Sequence, residues 1–160
     1  MARRDTGFGC PRAQTLLFAL LLGAPAALLA GDTEGFANDR EAAVHFLRPM
    51  FPIMDCEGVG VISKGEVDEH FFELFYALTE RGSFSIARDE VERSIPNSND
   101  AQLEHIFGMM DINGNGIVST EEFRNFMFTA LDLADSEQKG EVTLADVGLE
   151  APRIIRAQDR

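Results

Sequence analysis

Apolar residues recur three and four positions apart along several stretches of the chain, and this spacing predicts amphipathic helices. The first predicted helix begins at Asn38 or Asp39. It should kink or end early, because Pro49 and Pro52 fall in its last turns. A short helix is predicted to run through Ile95. The most regular apolar stripes are Val67, Phe71, Leu74, Phe75 and Leu78, then Leu103, Ile106, Phe107 and Met110, then Phe123, Phe126, Met127, Ala130 and Leu131.

Short polar segments separate these helices and contain signals for where helices start. Ser63-x-x-Glu66 and Asn99-x-x-Gln102 have the residue types of capping boxes. Residues 96–100 cluster turn-forming residues and predict an internal linker. The pattern therefore predicts one domain over residues 40–150, preceded by a linker at 31–39 and followed by a tail at 151–160.

Residues 1–30 differ in pattern from the rest of the chain. Arg3, Arg4 and Arg12 precede an uncharged apolar run over residues 15–30. This order predicts a secretory signal peptide, and hence a protein that is secreted, periplasmic or in the secretory-pathway lumen. The alternative is an uncleaved leader that anchors the protein in a membrane.

Composition narrows the classes of partner. The chain has 27 Asp and Glu against 14 Lys and Arg, a net charge of −13, and 13 Phe among 45% hydrophobic residues. Such acidity excludes nucleic acid, which is bound through clustered Lys and Arg. The apolar content excludes a disordered chain. His45, His70 and His105 are scattered without a nucleophile, so neither an enzyme nor a small-molecule substrate is predicted.

Residues 111–122 carry the clearest chemistry in the sequence. Oxygen-bearing side chains stand at the first, third, fifth, ninth and twelfth places of this segment, and Gly116 stands at the sixth, where the chain must turn sharply. Helical stripes flank the segment on both sides. It resembles the calcium-binding loop of the EF-hand superfamily. That resemblance implies a Ca²⁺ ion held by side-chain oxygens and one backbone carbonyl, from Asp111, Asn113, Asn115, Ile117 (backbone), Ser119 and Glu122.

Two glycines mark degenerate copies of this loop. Gly60 marks residues 55–66, where Val59 offers no oxygen at the fifth place. By the resemblance, its candidate ligands are Asp55, Glu57, Val61 (backbone), Ser63 and Glu66. Gly140 marks residues 135–146, where Lys139 puts a cation at the fifth place. Its candidate ligands are Asp135, Glu137, Glu141 (backbone), Thr143 and Asp146.

A fourth copy, without metal, is predicted around Gly82, with Phe84 in its strand. The glycine spacing predicts two EF-hand pairs, over residues 40–95 and 99–150. Because EF-hand loops pair through short antiparallel strands, Ile62 is expected near Phe84 and Val118 near Val142. The predicted fold class is all-α, with EF-hand helix-loop-helix pairs and short antiparallel strands between loops.

The resemblance is strongest to secreted bacterial EF-hand proteins, and weaker to the acidic EF-hand proteins of the secretory lumen. It implies calcium binding, with a role as a sensor or modulator that binds a helix or peptide of a partner protein. The alternative role is a calcium buffer or a calcium-stabilised scaffold. A membrane enters as a partner only if the leader stays uncleaved.

Overall fold

The computed structural model describes residues 34–79 and 83–150. The predicted leader at 1–30 and tail at 151–160 lie outside this range. In chain order the elements are α1 (Asp39–Met54), β1 (Val61–Ser63), α2 (Lys64–Glu69), α3 (Phe71–Leu78), β2 (Ser85–Ile86), α4 (Arg88–Ser94), α5 (Asp100–Met110), β3 (Val118–Ser119), α6 (Thr120–Ala134) and β4 (Glu141–Thr143). The predicted all-α class with short antiparallel strands is confirmed.

Side-chain caps fix where several helices begin. Asn38 caps α1 by accepting the backbone N–H of Glu41. The capping boxes predicted at Ser63 and Asn99 both form, and Ser119 forms a third at the start of α6. Each cap satisfies backbone donors that a helix start otherwise leaves without partners. The helix starts are therefore set locally by the sequence.

Helix α1 runs through both of its prolines to Met54, so of the two predicted outcomes, a kink or an early end, the early end is wrong. Each internal proline removes a helical hydrogen bond and costs about 3 kcal/mol. The last turns nevertheless bury Met50, Phe51 and Met54, and each such burial contributes about 1.5–3 kcal/mol. Packing against the core thus offsets the local cost of Pro49 and Pro52.

The helix that the Ser63 capping box and the stripe from Val67 to Leu78 predict is divided at His70 into α2 and α3. The interruption is slight, because the His70 N–H donates to the Glu66 carbonyl at 2.9 Å and the His70 carbonyl accepts the Leu74 N–H at 3.1 Å. Helical spacing therefore continues across His70, and side chains three residues apart on either side of it lie on one face.

The strands pair the loops in an order that differs from the sequence prediction. β1 is antiparallel to β4, with Ile62 opposite Val142, and β2 is antiparallel to β3, with Ile86 opposite Val118. The expected pairings of Ile62 with Phe84 and of Val118 with Val142 are wrong. Each strand has only two or three residues. Such short strands carry little pairing preference of their own, so helix packing decides which edges meet.

Both two-stranded sheets pack on one hydrophobic core, and this core joins the two halves of the chain. The rings of Phe46 and Phe126 meet edge to face at 5.0 Å between centroids. Phe123 of α6 lies 5.9 Å from Phe71 and 5.8 Å from Phe75 of α3. Edge-to-face aromatic pairs stabilise a core beyond their buried area.

Within residues 34–79 and 83–150, no helix is long and apolar enough to cross a membrane.

Candidate metal centre

The loop over residues 111–122 begins where α5 ends. The two carboxylate oxygens of Asp111 accept separate backbone N–H groups, from Asn115 at 3.1 Å and from Gly116 at 2.7 Å. Gly116 has φ of 86°, a conformation that is inexpensive only for glycine. The first side chain of the loop therefore organises its centre.

The middle of the loop is held by the side chains of its third and fifth residues. The Asn113 Oδ1 accepts the Asn115 N–H at 3.0 Å, and the Asn115 Oδ1 accepts the Ile117 N–H at 2.9 Å. These contacts are Asx turns, which fix a short polar side chain beside its own backbone. The two amide oxygens are thus each held beside the backbone at the centre of the loop.

The twelfth residue closes the loop from the other end. Glu122 lies in the first turn of α6 and is only 8% exposed. Its Oε2 accepts the Ser119 N–H at 2.9 Å and the Ser119 hydroxyl at 2.7 Å. Its Oε1 accepts the Asn113 backbone N–H at 3.2 Å and the Asn113 amide Nδ2 at 2.6 Å. The third, ninth and twelfth residues are therefore brought together.

The hydrogen bonds around Glu122 keep it ionised. The Ser119 backbone N–H, followed by the Ser119 hydroxyl, lowers the pKa of Glu122, because both donors stabilise the charged form more than the neutral one. A carboxylate in this state is the form that a cation binds. The electrostatics of the loop therefore match its candidate role.

The donors of this loop fit a calcium ion. Calcium binds six to eight oxygens in a flexible shell, and this loop offers two carboxylates, two amide oxygens, a hydroxyl and the Ile117 carbonyl. The described residues contain no group of three or more His, Cys, Asp and Glu side chains positioned for a metal. In the loop over residues 111–122, only Asp111 and Glu122 of the six candidate ligands are carboxylates. The individual ligand assignments stay a prediction.

The loop over residues 55–66 has the same frame. Asp55 accepts the Val59 and Gly60 N–H groups, each at 2.9 Å. Glu66 accepts the Ser63 N–H at 2.9 Å and the Ser63 hydroxyl at 3.0 Å. Val61 opens β1. Glu57, the third residue of the loop, is exposed. Val59, the fifth residue, is 62% exposed and has no oxygen in its side chain.

The loop over residues 135–146 repeats this frame a third time. Asp135 accepts the Lys139 N–H at 3.1 Å and the Gly140 N–H at 2.7 Å. Desolvation opposes ionisation of Asp135, but these N–H groups outweigh it and lower its pKa. Asp146 accepts the Thr143 N–H at 2.9 Å and the Thr143 hydroxyl at 2.7 Å. The Thr143 hydroxyl and N–H lower the pKa of Asp146.

The fifth residue distinguishes this third loop. The Lys139 Nζ lies 2.5 Å from the Glu137 Oε2, so the third residue of the loop is already paired with a cation. This hydrogen bond to Glu137, together with the charge of Glu137, raises the pKa of Lys139. Glu141 is exposed in β4. The structure thus brings the ninth and twelfth candidates into contact, and it pairs Glu137 with Lys139.

A fourth loop ends at Glu90, a residue that the sequence reasoning missed. Glu90 is buried, and its Oε2 accepts the Ala87 N–H at 2.8 Å, as Glu122 does with Ser119. Phe84 precedes the strand rather than forming it, and it is 74% exposed. The predicted centre, Gly82, lies outside the described residues. Aligning the chain on the carboxylates that end its loops, instead of on its glycines, indicates Glu90, because Glu66 and Glu90 differ by 24 in number, as do Glu122 and Asp146.

With this frame the strand residues form a regular repeat. The numbers of Ile62 and Val118 differ by 56, and so do those of Ile86 and Val142. The chain thus contains one two-loop unit twice. Each unit contributes one strand to each sheet, so the sheets join the two units instead of separating them.

Two of the three histidines, His45 and His105, pack on the ring of Phe36, with centroids 5.0 Å and 5.8 Å away. The His45 Nε2 is 2.8 Å from the Ser98 hydroxyl, the His70 Nδ1 is 2.7 Å from a Glu73 oxygen, and the His105 Nε2 is 2.8 Å from an Asp39 oxygen. No contact joins two histidines, and the one hydroxyl among these partners is that of Ser98. Each histidine is accounted for by packing and a single polar partner.

Comparison with known proteins agrees with the loop geometry. The family model described as an EF-hand domain pair matches residues 46–128, which is more than half of the chain. No curated protein and no solved structure matches the chain. The matched range includes the loops over residues 55–66 and 111–122. The chain therefore belongs to the EF-hand domain pair family, whose members bind calcium.

Proposed function

We propose that the protein binds calcium through residues 111–122 and acts as a calcium-dependent modulator of a partner protein. The observation that carries the proposal is the convergence of Asn113 and Ser119 on the buried Glu122 carboxylate. Residues from both ends of the loop thus meet at one carboxylate, which supports the assignment. The other two loops with this frame lack an oxygen at the fifth place.

The connection between this loop and the core supports a modulator role. Glu122 lies in the first turn of α6, and the next residue, Phe123, packs on the rings of Phe71 and Phe75. A change in the position of Glu122 would therefore reach the core directly. Met50, Met54, Met110 and Met127 are buried in the same core. Methionine-lined surfaces adapt to partners once an EF-hand pair opens.

The second candidate role is a calcium buffer or calcium-stabilised scaffold. The observation that favours it is the closed loop, in which Glu122 already bonds Ser119 and Asn113. A metal would then hold an existing arrangement. We further propose that the protein is exported, on the strength of its leader sequence, and that it is not an enzyme, since its histidines are scattered along the sequence without a catalytic motif.

Isothermal titration calorimetry of Glu122→Gln tests the metal site. The variant is expected to lose the tightest calcium-binding event, because a carboxylate that can offer two oxygens becomes an amide. Glu121→Gln is the matched control, because Glu121 is the neighbouring exposed carboxylate. Full-affinity binding by Glu122→Gln would contradict the assignment.

A calcium titration with a dye that reports exposed apolar surface separates the two roles. A rise in dye signal supports the modulator, because the buried methionines would have become accessible. A flat dye response together with a higher melting temperature supports the scaffold, because a ligand that binds only the folded state stabilises it. Glu122→Gln should abolish either response.

A further inference from the structure

Two aromatic rings on α3 face outward from the core. Phe72 is 61% exposed and Tyr76 is 44% exposed, and their rings are stacked, with centroids 6.3 Å apart and planes at 26°. Their neighbours Phe71 and Phe75 are buried and supply the core contacts of the same helix. The exposed rings of Phe72 and Tyr76 are therefore not needed to hold α3 in place.

An arginine of the same chain is held on the adjacent helix face, and its contacts show how a ring and a carboxylate there hold a cation. The Arg124 guanidinium lies 5.6 Å from the centroid of the Phe71 ring, and it forms an ion pair with Asp68. Asp68 and Phe71 are three residues apart, so the carboxylate and the ring lie side by side. A guanidinium suits such a site because it stacks on the ring while its N–H groups bind the carboxylate.

The same spacing of a carboxylate and a ring occurs twice on the outward side. Glu69 precedes Phe72 by three residues, and Glu73 precedes Tyr76 by three. Glu69 is exposed and has no ion pair or hydrogen bond within the described residues. Glu73 is half-buried and bonded to His70 at 2.7 Å. Within residues 34–79 and 83–150, no arginine pairs with the carboxylate or the ring of either copy.

Charge selects the occupant of this surface. Every charged residue from Glu66 to Tyr76 is acidic: Glu66, Asp68, Glu69 and Glu73. Arg124 neutralises Asp68 only. A second copy of a chain with net charge −13 would be repelled, as would an anionic membrane. An arginine-bearing segment is attracted to both the carboxylates and the ring faces.

We propose that Glu69, Phe72, Glu73 and Tyr76 form a docking surface for an arginine-bearing segment of a partner protein. Each carboxylate and its ring would hold one guanidinium in the way that Asp68 and Phe71 hold Arg124. The use of this surface rests on the proposed modulator role, but its chemistry does not need calcium. The two proposals can therefore fail separately.

Tyr76 reports on this surface directly, since it is the only tyrosine in a chain that has no tryptophan. The probe is a synthetic helical peptide of Ala and Leu with arginines three and four residues apart, and without aromatic residues. Titration of the full chain with this peptide should change the tyrosine fluorescence saturably. The same peptide with lysines in place of arginines should bind several-fold more weakly, because an ammonium cannot stack as a planar guanidinium does.

Two variants and a control test the assignment of residues. Phe72→Ser and Glu69→Gln should each weaken binding of the arginine peptide by about tenfold, since a ring face and a carboxylate are both required. Glu92→Gln is the control for charge, because Glu92 is an exposed carboxylate on α4. It should bind the peptide as the unmodified chain does. Far-ultraviolet circular dichroism checks that each variant remains folded.

The titration is repeated in EDTA and with Glu122→Gln, and the fluorescence response should persist in both. Loss of peptide binding without calcium would overturn the docking surface while leaving the calcium site in place. Equal binding of the arginine and lysine peptides would overturn it too, as would unchanged binding by both surface variants. A dimer in sedimentation that Phe72→Ser dissolves would instead identify a second copy as the occupant and contradict the proposal.

Discussion

The loops over residues 111–122 and 135–146 have the same backbone but not the same chemistry. In both, the first carboxylate accepts the N–H groups of the fifth and sixth residues, and the twelfth carboxylate accepts the N–H and hydroxyl of the ninth. Their sixth residues are glycines with φ of 86° and 82°. Four places therefore determine the shape of an EF-hand loop in this protein.

The third and fifth places determine what the loop can hold. Asn113 and Asn115 present neutral oxygens, whereas Glu137 and Lys139 form an ion pair with each other. An ammonium at the fifth place repels a calcium ion and removes an oxygen ligand. A loop can thus keep the EF-hand shape after it has lost the ligands that the shape serves.

The largest expected effect is on the helix that the two loops share, α6. Phe123→Ala should lower the free energy of unfolding by about 3–5 kcal/mol, because it leaves a cavity between the rings of Phe71 and Phe75. Denaturant unfolding should still show one transition, since both sheets stand on one core. Two separate transitions would show that the loops belong to independent units.

Lys139→Asn combined with Asp146→Glu should turn the loop over residues 135–146 into a calcium site. The change supplies an oxygen at the fifth place and a longer carboxylate at the twelfth. Calorimetry should show a further binding event, with an affinity at least about tenfold above that of the unmodified loop, equivalent to about 1.4 kcal/mol. Arg40→Gln controls for the loss of one positive charge. An unchanged titration would mean that the backbone frames differ.

The substitutions Ser119→Ala and Thr143→Ala test the ninth residues of the loops over 111–122 and 135–146. Each removes a hydroxyl that caps the loop, and each should lower stability without calcium by about 1 kcal/mol. Only Ser119→Ala should also weaken calcium binding, because only its loop is proposed to hold the metal. Chemical denaturation in EDTA and calorimetry measure the two effects. Equal losses of calcium affinity would contradict the contrast between the loops.

The smallest effect is the dependence of stability on pH without calcium. The pKa values of Glu122 and Asp146 are lowered in the folded protein, so the folded state binds fewer protons than the unfolded one. This stabilisation is present above the ordinary pKa values, about 4.3 for Glu and about 3.9 for Asp. It is lost as pH falls through the lowered values.

Acid denaturation in EDTA checks this dependence. Glu122→Gln and Asp146→Asn should each make stability less sensitive to pH below about 4.5, because each removes one of these carboxylates. Similar slopes for the two variants would support a common hydrogen-bonded frame. A steeper slope for either variant would contradict it.

Local features of the fold could be predicted from the sequence. The capping boxes at Ser63 and Asn99, the helical stripes and the three carboxylate-led loops all depend on residues within twelve positions of one another. For the same reason, the residues of the candidate calcium loop could be named in advance. Their hydrogen bonds in the structure are also local, within the loop.

What could not be predicted depends on packing between distant segments. Nothing local to Ile62 distinguishes Ile86 from Val142 as its partner, because each is a single buried apolar residue in a short strand. The passage of α1 through Pro49 and Pro52 likewise depends on the core beneath it. Glu90 was missed because its loop has Phe84 where the others have a glycine, so a search based on glycines was misaligned.

The nested pairing of the strands has a consequence for the order of folding. Ile86 and Val118 are 32 apart in number, whereas Ile62 and Val142 are 80 apart. Closing the longer span costs more chain entropy, and distant pairings form more slowly. The candidate calcium loop can thus obtain its partner strand before the chain is complete, while the loop over residues 55–66 must wait for residue 143. A chain shortened before β4 would therefore leave β1 without a partner and keep β2 and β3 paired.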